Sequence, residues 1–271
     1  MISLVDGIRQ DHLSVTDSTV IRGDGVFEAV RSYGGTLFAL GDHLDRLARS
    51  AAATGIPLPD DGRIGSWARS LGSEGGEGLV RIIVSRGDAV AGSSGERRIV
   101  VMHHPLPFVP RTIRLRPWPA PWHPAGRPWE LAGIKTTSYA PNVAATRMAG
   151  RDGFDDALLV ADDQTVLEGP TFCVGWVLGG VLRVPDVELG ILDSITRRHV
   201  LELAAGDGIT VESGRFALDE LEAADEVFAM STVKEVTPVI SVGAWEYPIG
   251  SVTSRLRELF RAHVAAAGRL H

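Results

Sequence analysis

Short segments with a strand pattern alternate along this chain with longer segments whose apolar residues repeat at helical spacing. Glycine pairs lie between some of the consecutive strand patterns. Gly34-Gly35 separates a strand pattern at 25–33 from Thr36-Leu-Phe-Ala-Leu, and Gly179-Gly180 separates 173–178 from 181–184. A glycine pair supplies the positive φ angles that a tight hairpin turn requires. The alternation therefore predicts a mixed α/β (α+β) chain with antiparallel hairpins.

Caps and glycines mark the ends of the predicted helices. Asp42 can cap a helix that Gly55 and Pro57 stop, and Arg46 lies off its apolar stripe. That stripe consists of Leu44, Leu47, Ala48, Ala51 and Ala52. Further helices are predicted over 142–151, 195–206 and 218–224 and from about 252, with strands over 79–84, 98–103, 156–161 and 226–230 and a glycine-rich interval at 72–78.

The composition shifts to proline, tryptophan and arginine between Pro105 and Pro128. Such a stretch cannot continue a helix, and it is typical of a linker or an extended strand. We expect a smaller N-terminal domain at 1–108, a linker at 109–112 and a larger C-terminal domain at 113–271.

Composition and charge exclude several classes of partner. The 271 residues are 44% hydrophobic and 23% charged, as in a soluble globular chain. The net charge is −7 and the arginines are scattered, which argues against nucleic acid or an anionic membrane as the partner and favours a small molecule. Cys173 is the single cysteine, which excludes an internal disulfide, and we expect it to be buried. The chain shows neither a membrane-spanning run nor a signal-peptide pattern, so we expect a cytoplasmic protein.

The chain has 27 basic side chains, and only Lys135 and Lys234 among them are lysines. Arginine keeps its proton in proteins, whereas a lysine amine can lose it and attack a carbonyl. Lys135 lies in Gly-Ile-Lys-Thr-Thr-Ser-Tyr, at what we interpret as the end of a short strand, and is the candidate Schiff-base lysine. For Lys234, beside Glu235, chance or a surface ion pair is the better explanation.

A phosphorylated cofactor held by a lysine also needs an anion site and an acid near its ring nitrogen. Ser194-Ile195-Thr196 opens a helix, where free N–H groups and the helix dipole favour an anion, and Ser231-Thr232 follows a strand. Glu168, where a strand ends, could keep a pyridine nitrogen protonated. Each feature also has an ordinary interpretation as a cap, a turn or an exposed acid.

The order of these features resembles the class IV aminotransferases, a family that includes branched-chain and D-amino acid aminotransferases, (R)-selective amine transaminases and aminodeoxychorismate lyases. The resemblance covers almost the whole chain and implies fold type IV, the cofactor pyridoxal 5′-phosphate and a homodimer whose active site lies between two lobes. It rests on Arg22-Gly-Asp-Gly-Val-Phe-Glu, His43-Leu-Asp-Arg-Leu, Lys135-Thr-Thr-Ser-Tyr-Ala-Pro-Asn, Asp155-Asp-Ala-Leu-Leu-Val, Glu168-Gly-Pro-Thr, Gly190-Ile-Leu-Asp-Ser-Ile-Thr-Arg and Ser231-Thr-Val-Lys-Glu-Val-Thr-Pro-Val.

The resemblance implies roles for individual residues. Lys135 matches the Schiff-base lysine, Glu168 the partner of the pyridine nitrogen, and Arg46 the phosphate-binding arginine. The phosphate site would comprise Ile195, Thr196 and Thr232 with the neighbouring Ser231, and Tyr139 matches the residue near the cofactor's phenolic oxygen.

The resemblance leaves the substrate open. The amino group would pass from an amino acid to a 2-keto acid by ping-pong kinetics, with Lys135 moving the proton. A substrate carboxylate could be bound by Arg22, Arg81 or Arg86, and Arg81 is notable because it interrupts an apolar strand, although a structural salt bridge would explain it equally well. Phe27 resembles the branched-chain group, whereas Arg22 stands where those enzymes carry an aromatic residue. D-amino acids, branched-chain amino acids and (R)-amines therefore all stay candidate donors.

Two other functions are compatible with the same residues. An aminodeoxychorismate lyase would use the same lysine and cofactor to eliminate pyruvate, and Val84-Ser-Arg-Gly resembles a segment of the lyases, although Ala29 stands where they commonly carry threonine. A non-catalytic cofactor-binding protein on this fold is the second alternative, and the presence of Lys135, Glu168 and Arg46 argues against it.

Overall fold

A computed structural model describes residues 1–59, 62–88 and 96–268 of the chain. It has six α-helices within these residues: α1 Ser18–Arg22, α2 Leu40–Ala53, α3 Arg63–Gly75, α4 Ala140–Arg151, α5 Ile195–Gly206 and α6 Ser251–Ala267. The strands are β1 Ile2–Val5, β2 Ile8–Arg9, β3 Gly25–Tyr33, β4 Thr36–Leu37, β5 Gly78–Ser85, β6 Arg98–His104, β7 Ile113–Pro119, β8 Asp156–Val160, β9 Cys173–Leu178, β10 Val181–Pro185, β11 Val211–Gly214, β12 Glu226–Ser231, β13 Glu235–Val242 and β14 Trp245–Glu246. The prediction of a mixed α/β fold is confirmed.

The chain divides into two compact units. Unit 1 comprises Met1–Pro107, Ile134–Tyr139 and the C-terminal residues from Ala266, and unit 2 comprises Phe108–Gly133 and Ala140–Ala265. Lys135 thus belongs to the first unit although it follows the Pro-rich segment in sequence. The domain limits that we expect from the sequence stay a prediction.

Unit 1 is built on a six-stranded sheet in the order β2-β1-β6-β5-β3-β4. All of its pairs are antiparallel, and the predicted turn at Gly34-Gly35 joins β3 to β4, where both glycines have positive φ. Its core combines apolar residues of β3, β5 and β6 with those of α2 and α3. The strands predicted over 25–33, 79–84 and 98–103 are confirmed.

Helix α2 buries a different face from the one predicted. It begins at Leu40, before Asp42, and Ala48 and Ala52 of the predicted stripe are exposed. The buried positions include His43, Arg46 and Ser50, at helical spacing with Leu47. The prediction that Arg46 lies off the buried stripe is therefore wrong, because the sheet beneath the helix presents a charged residue, Glu28, to this face.

Helix α3 was not predicted, and it runs into the glycine-rich interval. Its glycines are required by close packing: a Cβ on Gly72 would lie 2.9 Å from Leu37 Cδ2, and one on Gly75 would lie 2.3 Å from His103 Nδ1. A helix that packs tightly against neighbouring side chains accepts glycine despite its poor helix propensity.

Unit 2 is built on an eight-stranded sheet in which β11-β10-β9-β12-β13-β7-β8 follow one another and β14 pairs with β13. β7 is flanked by parallel neighbours on both sides, so part of the Pro-rich segment is a strand of this sheet rather than a linker. The hairpin of β9 and β10 and the helices α4, α5 and α6 match the predicted elements, and residues 218–223 form a 3₁₀ helix.

Two further expectations concern single residues, Lys135 and Cys173. Lys135 does not end a strand: its segment is irregular, and the nearest pairing is an isolated bridge between Thr136 and Val26. Cys173 is buried, as predicted. Among the described residues, none of the helices is both long and apolar enough to cross a membrane.

Candidate active site

Lys135 is fixed against the start of β3 in unit 1. Its carbonyl accepts a hydrogen bond from the Phe27 N–H (3.0 Å), and its own N–H donates to Ser50 Oγ (3.4 Å). Two residues on, the Thr137 N–H donates to the Gly25 carbonyl (2.8 Å). These hydrogen bonds fix the irregular segment against β3 and α2.

The glycines of Arg22-Gly-Asp-Gly make room for this segment. Thr137 Oγ1 and Ser138 Oγ both donate to the Gly23 carbonyl, at 2.6 and 2.9 Å. A Cβ on Gly23 would lie 2.7 Å from Ser138 Oγ, and one on Gly25 would lie 2.8 Å from the Val84 carbonyl. Larger residues at these positions would displace the loop that carries Lys135.

The Lys135 amine lies beside two aromatic rings. Its Nζ is 4.5 Å from the centroid of the Phe27 ring and 5.8 Å from that of Tyr139, and the two rings meet edge to face at 5.4 Å. Aromatic faces attract a cation at this range and exclude water from it. The structure thus places Lys135, Phe27 and Tyr139 together, and the roles that the resemblance implies for them stay predictions.

A buried charged cluster lies next to this group in unit 1. Glu28 on β3 accepts hydrogen bonds from Arg46 Nε and Nη2 and from His43 Nδ1, each at 2.7 Å. The two carboxylate oxygens match the fork of the guanidinium, which is the strongest geometry for such a pair. Arg46 is therefore fixed in a buried ion pair, and its role in phosphate binding stays a prediction.

The cluster keeps Glu28 charged and His43 neutral. Burial by itself would raise the pKa of Glu28, but hydrogen bonds from Arg46 and His43 lower it to about 2. Burial lowers the pKa of His43, and the positive charges of Arg46 and Lys135 add to that effect against the opposing pull of Glu28. A neutral His43 donates its Nδ1–H to the carboxylate, so the cluster holds one ion pair rather than two competing cations.

The three candidate substrate arginines differ in their surroundings. Arg81 on β5 has a buried Nε without a hydrogen-bond partner among the described residues, and its guanidinium lies 5.7 Å from the Phe27 ring centroid. Arg22 is exposed at the end of α1. Arg86 binds Asp24 through Nε (2.7 Å) and Nη2 (3.2 Å) and also donates to the carbonyls of Thr54 and Gly55.

In unit 2, Glu168 ends a segment that folds back on β8. The Leu159 N–H donates to the Glu168 carbonyl (2.8 Å), and the Gly169 N–H donates to the Phe172 carbonyl (2.7 Å), which turns the chain sharply after Glu168. A Cβ on Gly169 would lie 2.1 Å from the Phe172 ring. The Leu192 N–H donates to Glu168 Oε2 (3.2 Å) and connects the carboxylate to the segment that leads into α5.

Helix α5 begins with a capped first turn, and its role as an anion site stays a prediction. Ser194 is the N-cap residue, and its Oγ accepts a hydrogen bond from the Arg197 N–H (3.3 Å). Ile195 and Thr196 open the helix and are buried; N–H groups of a first turn lack acceptors within the helix. Ser231 closes β12, and its Oγ accepts from the Lys234 N–H (3.0 Å), so the Ser231-Thr232 pair forms a turn.

Lys234 forms an ion pair, although not at the surface as expected. Its Nζ lies 3.6 Å from Asp156 Oδ2 and 4.9 Å from the Phe172 ring centroid, and its side chain is 16% exposed. Thr146 Oγ1 also donates to Asp156 (2.7 Å). These contacts explain why a lysine stands here without giving it a chemical role.

Sequence reasoning missed the side chains that contact the candidate residues. His43 lies one helical turn before Arg46, and this spacing could have revealed a shared face. His123 follows β7 in the Pro-rich segment, is buried, and brings its Nε2 within 3.8 Å of Glu168 Oε1. Nothing in the local sequence distinguishes His123 from an exposed loop histidine.

Each unit, taken by itself, holds groups that suit pyridoxal phosphate. Unit 1 supplies an amine in aromatic surroundings, and unit 2 supplies a carboxylate and the first-turn N–H groups of a capped helix. The Glu168 carboxylate accepts a single hydrogen bond from the described residues, so its second oxygen retains the capacity to receive a donor. These are the groups that a phosphorylated pyridine aldehyde requires.

Comparison with known proteins gives consistent relatives. The family model for amino-transferase class IV matches residues 25–242. A Methanocaldococcus jannaschii protein, provisionally named a branched-chain-amino-acid aminotransferase, is 32% identical, covering 92% of this chain and 90% of its own length. A bifunctional aminodeoxychorismate lyase / D-amino acid transaminase of Mycobacterium tuberculosis is 29% identical, with 94% of both chains covered.

Solved structures agree with these relatives over nearly the whole chain. A fold IV transaminase from Curtobacterium pusillum superposes with a TM-score of 0.86 at 32% identity, covering 96% of this chain and 92% of its own. The pyridoxal-phosphate-bound form of a hypothetical aminotransferase from Mycobacterium tuberculosis superposes with a TM-score of 0.90 at 26% identity, covering 98% and 100%.

Proposed function

The chain belongs to the class IV aminotransferase family, and we propose that it transfers an amino group between an α-amino acid and a 2-keto acid, with Arg81 binding the carboxylate. It is a pyridoxal-phosphate-dependent transaminase of fold type IV. Branched-chain and D-amino acids are the proposed donors, because relatives of both kinds resemble this chain over most of its length.

The proposed roles divide between the two units. Lys135 would bind the cofactor through its amine. When free, it would take the proton from the substrate's α-carbon, and in the second half-reaction it would return a proton to the carbon that was the keto carbon of the 2-keto acid. When bound, the cofactor supplies an electron sink for the bond that Lys135 breaks. Glu168 would meet the ring nitrogen and Tyr139 would steady the phenolic oxygen. The phosphate would be bound by Arg46 and by Ile195, Thr196, Ser231 and Thr232.

Arg81 carries the choice of an amino acid over a simple amine. Its guanidinium and the Lys135 amine lie beside the same Phe27 ring, at 5.7 and 4.5 Å from the centroid. The buried Nε lacks a partner among the described residues, and a buried donor of this kind is costly unless a ligand satisfies it. A carboxylate is the natural acceptor for a guanidinium, and in an amino acid it is bonded directly to the α-carbon from which Lys135 takes the proton.

Arg86 and Arg22 are not included in this site. The bonds of Arg86 to Asp24 and to two carbonyls would have to break before it could bind a substrate. Arg22 is exposed, and a surface cation contributes little to binding in water.

The test compares Arg81→Gln with Arg86→Gln as the matched control. The amino-donor half-reaction is followed by the absorbance of the bound cofactor, with an α-amino acid and with the amine of the same side chain that lacks the carboxylate. We expect Arg81→Gln to weaken use of the amino acid about a hundredfold, as loss of a charged hydrogen-bonded contact does, and to leave the amine unchanged. An equal loss for both donors would refute carboxylate binding by Arg81.

Lys135→Ala tests the chemistry itself. The variant should lose turnover by at least about a thousandfold, because both covalent attachment and proton transfer depend on this amine. A variant with near-normal rates would remove Lys135 from the mechanism.

Aminodeoxychorismate lyase is the second candidate function. The Mycobacterium tuberculosis relative is named for both activities, and Val84-Ser-Arg-Gly lies at the end of β5, the strand that carries Arg81. Release of pyruvate from aminodeoxychorismate, without any amino acceptor, would favour the lyase. Formation of a keto acid from an amino acid would favour the transaminase, and detection of both would indicate a bifunctional enzyme.

The assembly and location of the protein are part of the proposal. A homodimer is inferred from the family resemblance, and a cytoplasmic location from the sequence. Light scattering of the purified protein would test the dimer, with a monomeric mass as the contrary result.

A further inference from the structure

His123 is a buried histidine whose tautomer is fixed by the backbone. It is 8% exposed, and its Nδ1 accepts a hydrogen bond from the Ala125 N–H (3.2 Å). A ring nitrogen that accepts a hydrogen bond carries no proton, so the proton of the neutral ring lies on Nε2. His123 therefore presents a donor on its other side.

That donor lies near the Glu168 carboxylate. His123 Nε2 lies 3.8 Å from Glu168 Oε1, while Oε2 accepts the Leu192 N–H at 3.2 Å. A separation of 3.8 Å is longer than a hydrogen bond, so in this state the interaction is between a dipole and a charge. The carboxylate thus lies between two donors, one from the backbone and one from an imidazole.

The loop that carries His123 is tied to its surroundings at several points. The Ala120 N–H donates to the Val160 carbonyl at the end of β8 (2.8 Å), and the Gly126 N–H donates to the Leu189 carbonyl (2.9 Å). Arg215 Nη2 donates to the Ala125 carbonyl (2.6 Å). The imidazole is therefore held by a fixed backbone rather than by a free surface loop.

Gly190 allows this loop to approach the segment that contains Leu192. Its φ is +84°, and a Cβ at this position would lie 2.7 Å from Pro124 Cγ, next to His123. The glycine thus brings the two donors of Glu168 into one place, since Leu192 follows two residues later.

We propose that His123 is a positioning residue that orients the Glu168 carboxylate through its Nε2–H. The inference rests on the proposed role of Glu168 toward the cofactor's ring nitrogen. With Oε2 bound by the Leu192 N–H and Oε1 attracted by His123, the carboxylate cannot rotate away from the direction in which it meets the ring. Second contacts of this kind commonly set the orientation of a group that binds a cofactor.

The test uses two variants of similar volume and a double-mutant cycle. His123→Leu removes the donor, whereas His123→Gln retains an amide N–H near the Nε2 position. Both are combined with Glu168→Gln, and each protein is assayed for the dissociation constant of pyridoxal phosphate and for the rate constant of the amino-donor half-reaction. In the unmutated protein labelled with ¹⁵N-histidine and free of cofactor, NMR reports the tautomer of His123.

The expected results are specific to positioning. His123→Leu should lower the half-reaction rate about fivefold to tenfold and weaken cofactor binding by a similar factor, and His123→Gln should recover most of both. In the Glu168→Gln background, His123→Leu should cause almost no further loss, because the group on which it acts has changed. The NMR spectrum should show the proton on Nε2.

Contrary results distinguish a failure of the inference about His123 from a failure of the proposed role of Glu168. If Glu168→Gln is impaired but the His123→Leu loss adds fully to it, or if His123→Gln is as poor as His123→Leu, His123 has only a structural role and the inference is wrong. A proton on Nδ1 would overturn it as well. If Glu168→Gln alone changes neither rate nor cofactor affinity, the proposed role of Glu168 fails, and the inference about His123 fails with it.

Discussion

Each unit of this protein pairs a glutamate with a histidine, and the two pairs differ in how much of the carboxylate is satisfied. Glu28 in unit 1 is fully buried and accepts three hydrogen bonds of 2.7 Å from Arg46 and His43. The Glu168 side chain in unit 2 is 15% exposed, its carboxylate accepts one hydrogen bond from the described residues, and His123 Nε2 lies 3.8 Å from Oε1.

This difference in hydrogen bonding indicates that Glu28 stabilises the fold, whereas Glu168 is able to bind a ligand. A carboxylate whose charge is balanced by a bidentate guanidinium has little left to offer a ligand, and it stabilises the fold only as long as every partner is present. A carboxylate with one weak and one distant donor can still receive a further hydrogen bond. We therefore expect changes at Glu28 to act on stability and changes at Glu168 to act on cofactor binding.

The largest expected effect is the difference in stability between a variant without the Glu28 carboxylate and a variant without the Glu168 carboxylate. Glu28→Ala leaves the Arg46 guanidinium buried without its counterion and should lower the free energy of unfolding by about 3–5 kcal/mol. Glu168→Ala should lower it by less than about 1 kcal/mol. Denaturant titration of the cofactor-free proteins measures both, and equal losses would show that the two pairs do not differ as described.

Acid should weaken the Glu28 cluster before it weakens the core of unit 2. The pKa of Glu28 is lowered from its unfolded value to about 2 and that of His43 is also lowered, so the unfolded chain binds more protons as the pH falls. Each group supplies its full stability above its unfolded pKa, which is 6.5 for His43 and 4.5 for Glu28. As the pH falls below that value the stability decreases, and it is lost once the pH passes the lower pKa of the folded state. For Glu28 the loss at pH 3 is on the order of 2 kcal/mol.

Native-state hydrogen exchange locates this loss. Between pH 6 and pH 3, after correction for the intrinsic exchange rate, amides of β3 should lose more protection than those of β9, whose buried residues carry no titrating side chain. Equal losses in both strands would mean that acid acts on the protein as a whole.

Substitutions at Ser194, the N-cap residue of α5, test whether the start of this helix binds the cofactor's phosphate. Ser194→Ala should cost about 1 kcal/mol of stability, because the Arg197 N–H loses its acceptor. Ser194→Asp keeps a good cap but brings a negative charge to the proposed phosphate site. We expect it to retain stability and to bind pyridoxal phosphate at least about tenfold more weakly, as measured by equilibrium dialysis; unchanged affinity would place the phosphate elsewhere.

The smallest effect should come from the second lysine. Lys234→Met removes the ion pair with Asp156, which keeps its hydrogen bonds from Thr146 and from the Ala157 N–H. A stability loss of about 1 kcal/mol is expected, because the buried Asp156 carboxylate loses its counterion but keeps these two hydrogen bonds, and the half-reaction rate should stay within about twofold of normal. A large loss of rate without unfolding would give Lys234 a role in the chemistry.

Local signals were sufficient for the elements that carry most of the candidate site. The strand over Gly25–Tyr33 and the helix Ile195–Gly206 appear in the structure with the predicted bounds. Glycine turns, a serine cap and apolar periodicity act within a few residues and depend little on the rest of the chain. Helix α3 was missed because its glycines are required by packing against Leu37 and His103, which are distant in sequence, so no local pattern reveals them.

The sequence by itself determined the family, the mixed fold and the contrast between Lys135 and Lys234, since these depend on residue types and their order. The tertiary structure alone decided that polar residues line the buried face of α2 and that His123 lies near Glu168. It also decided that Arg81, beside the Phe27 ring, has a buried donor without a partner among the described residues. The physical reason is that a charge is satisfied by whatever lies within about 3 to 4 Å in space. Glu28 and Arg46, or His123 and Glu168, are too far apart in sequence for any local pattern to pair them.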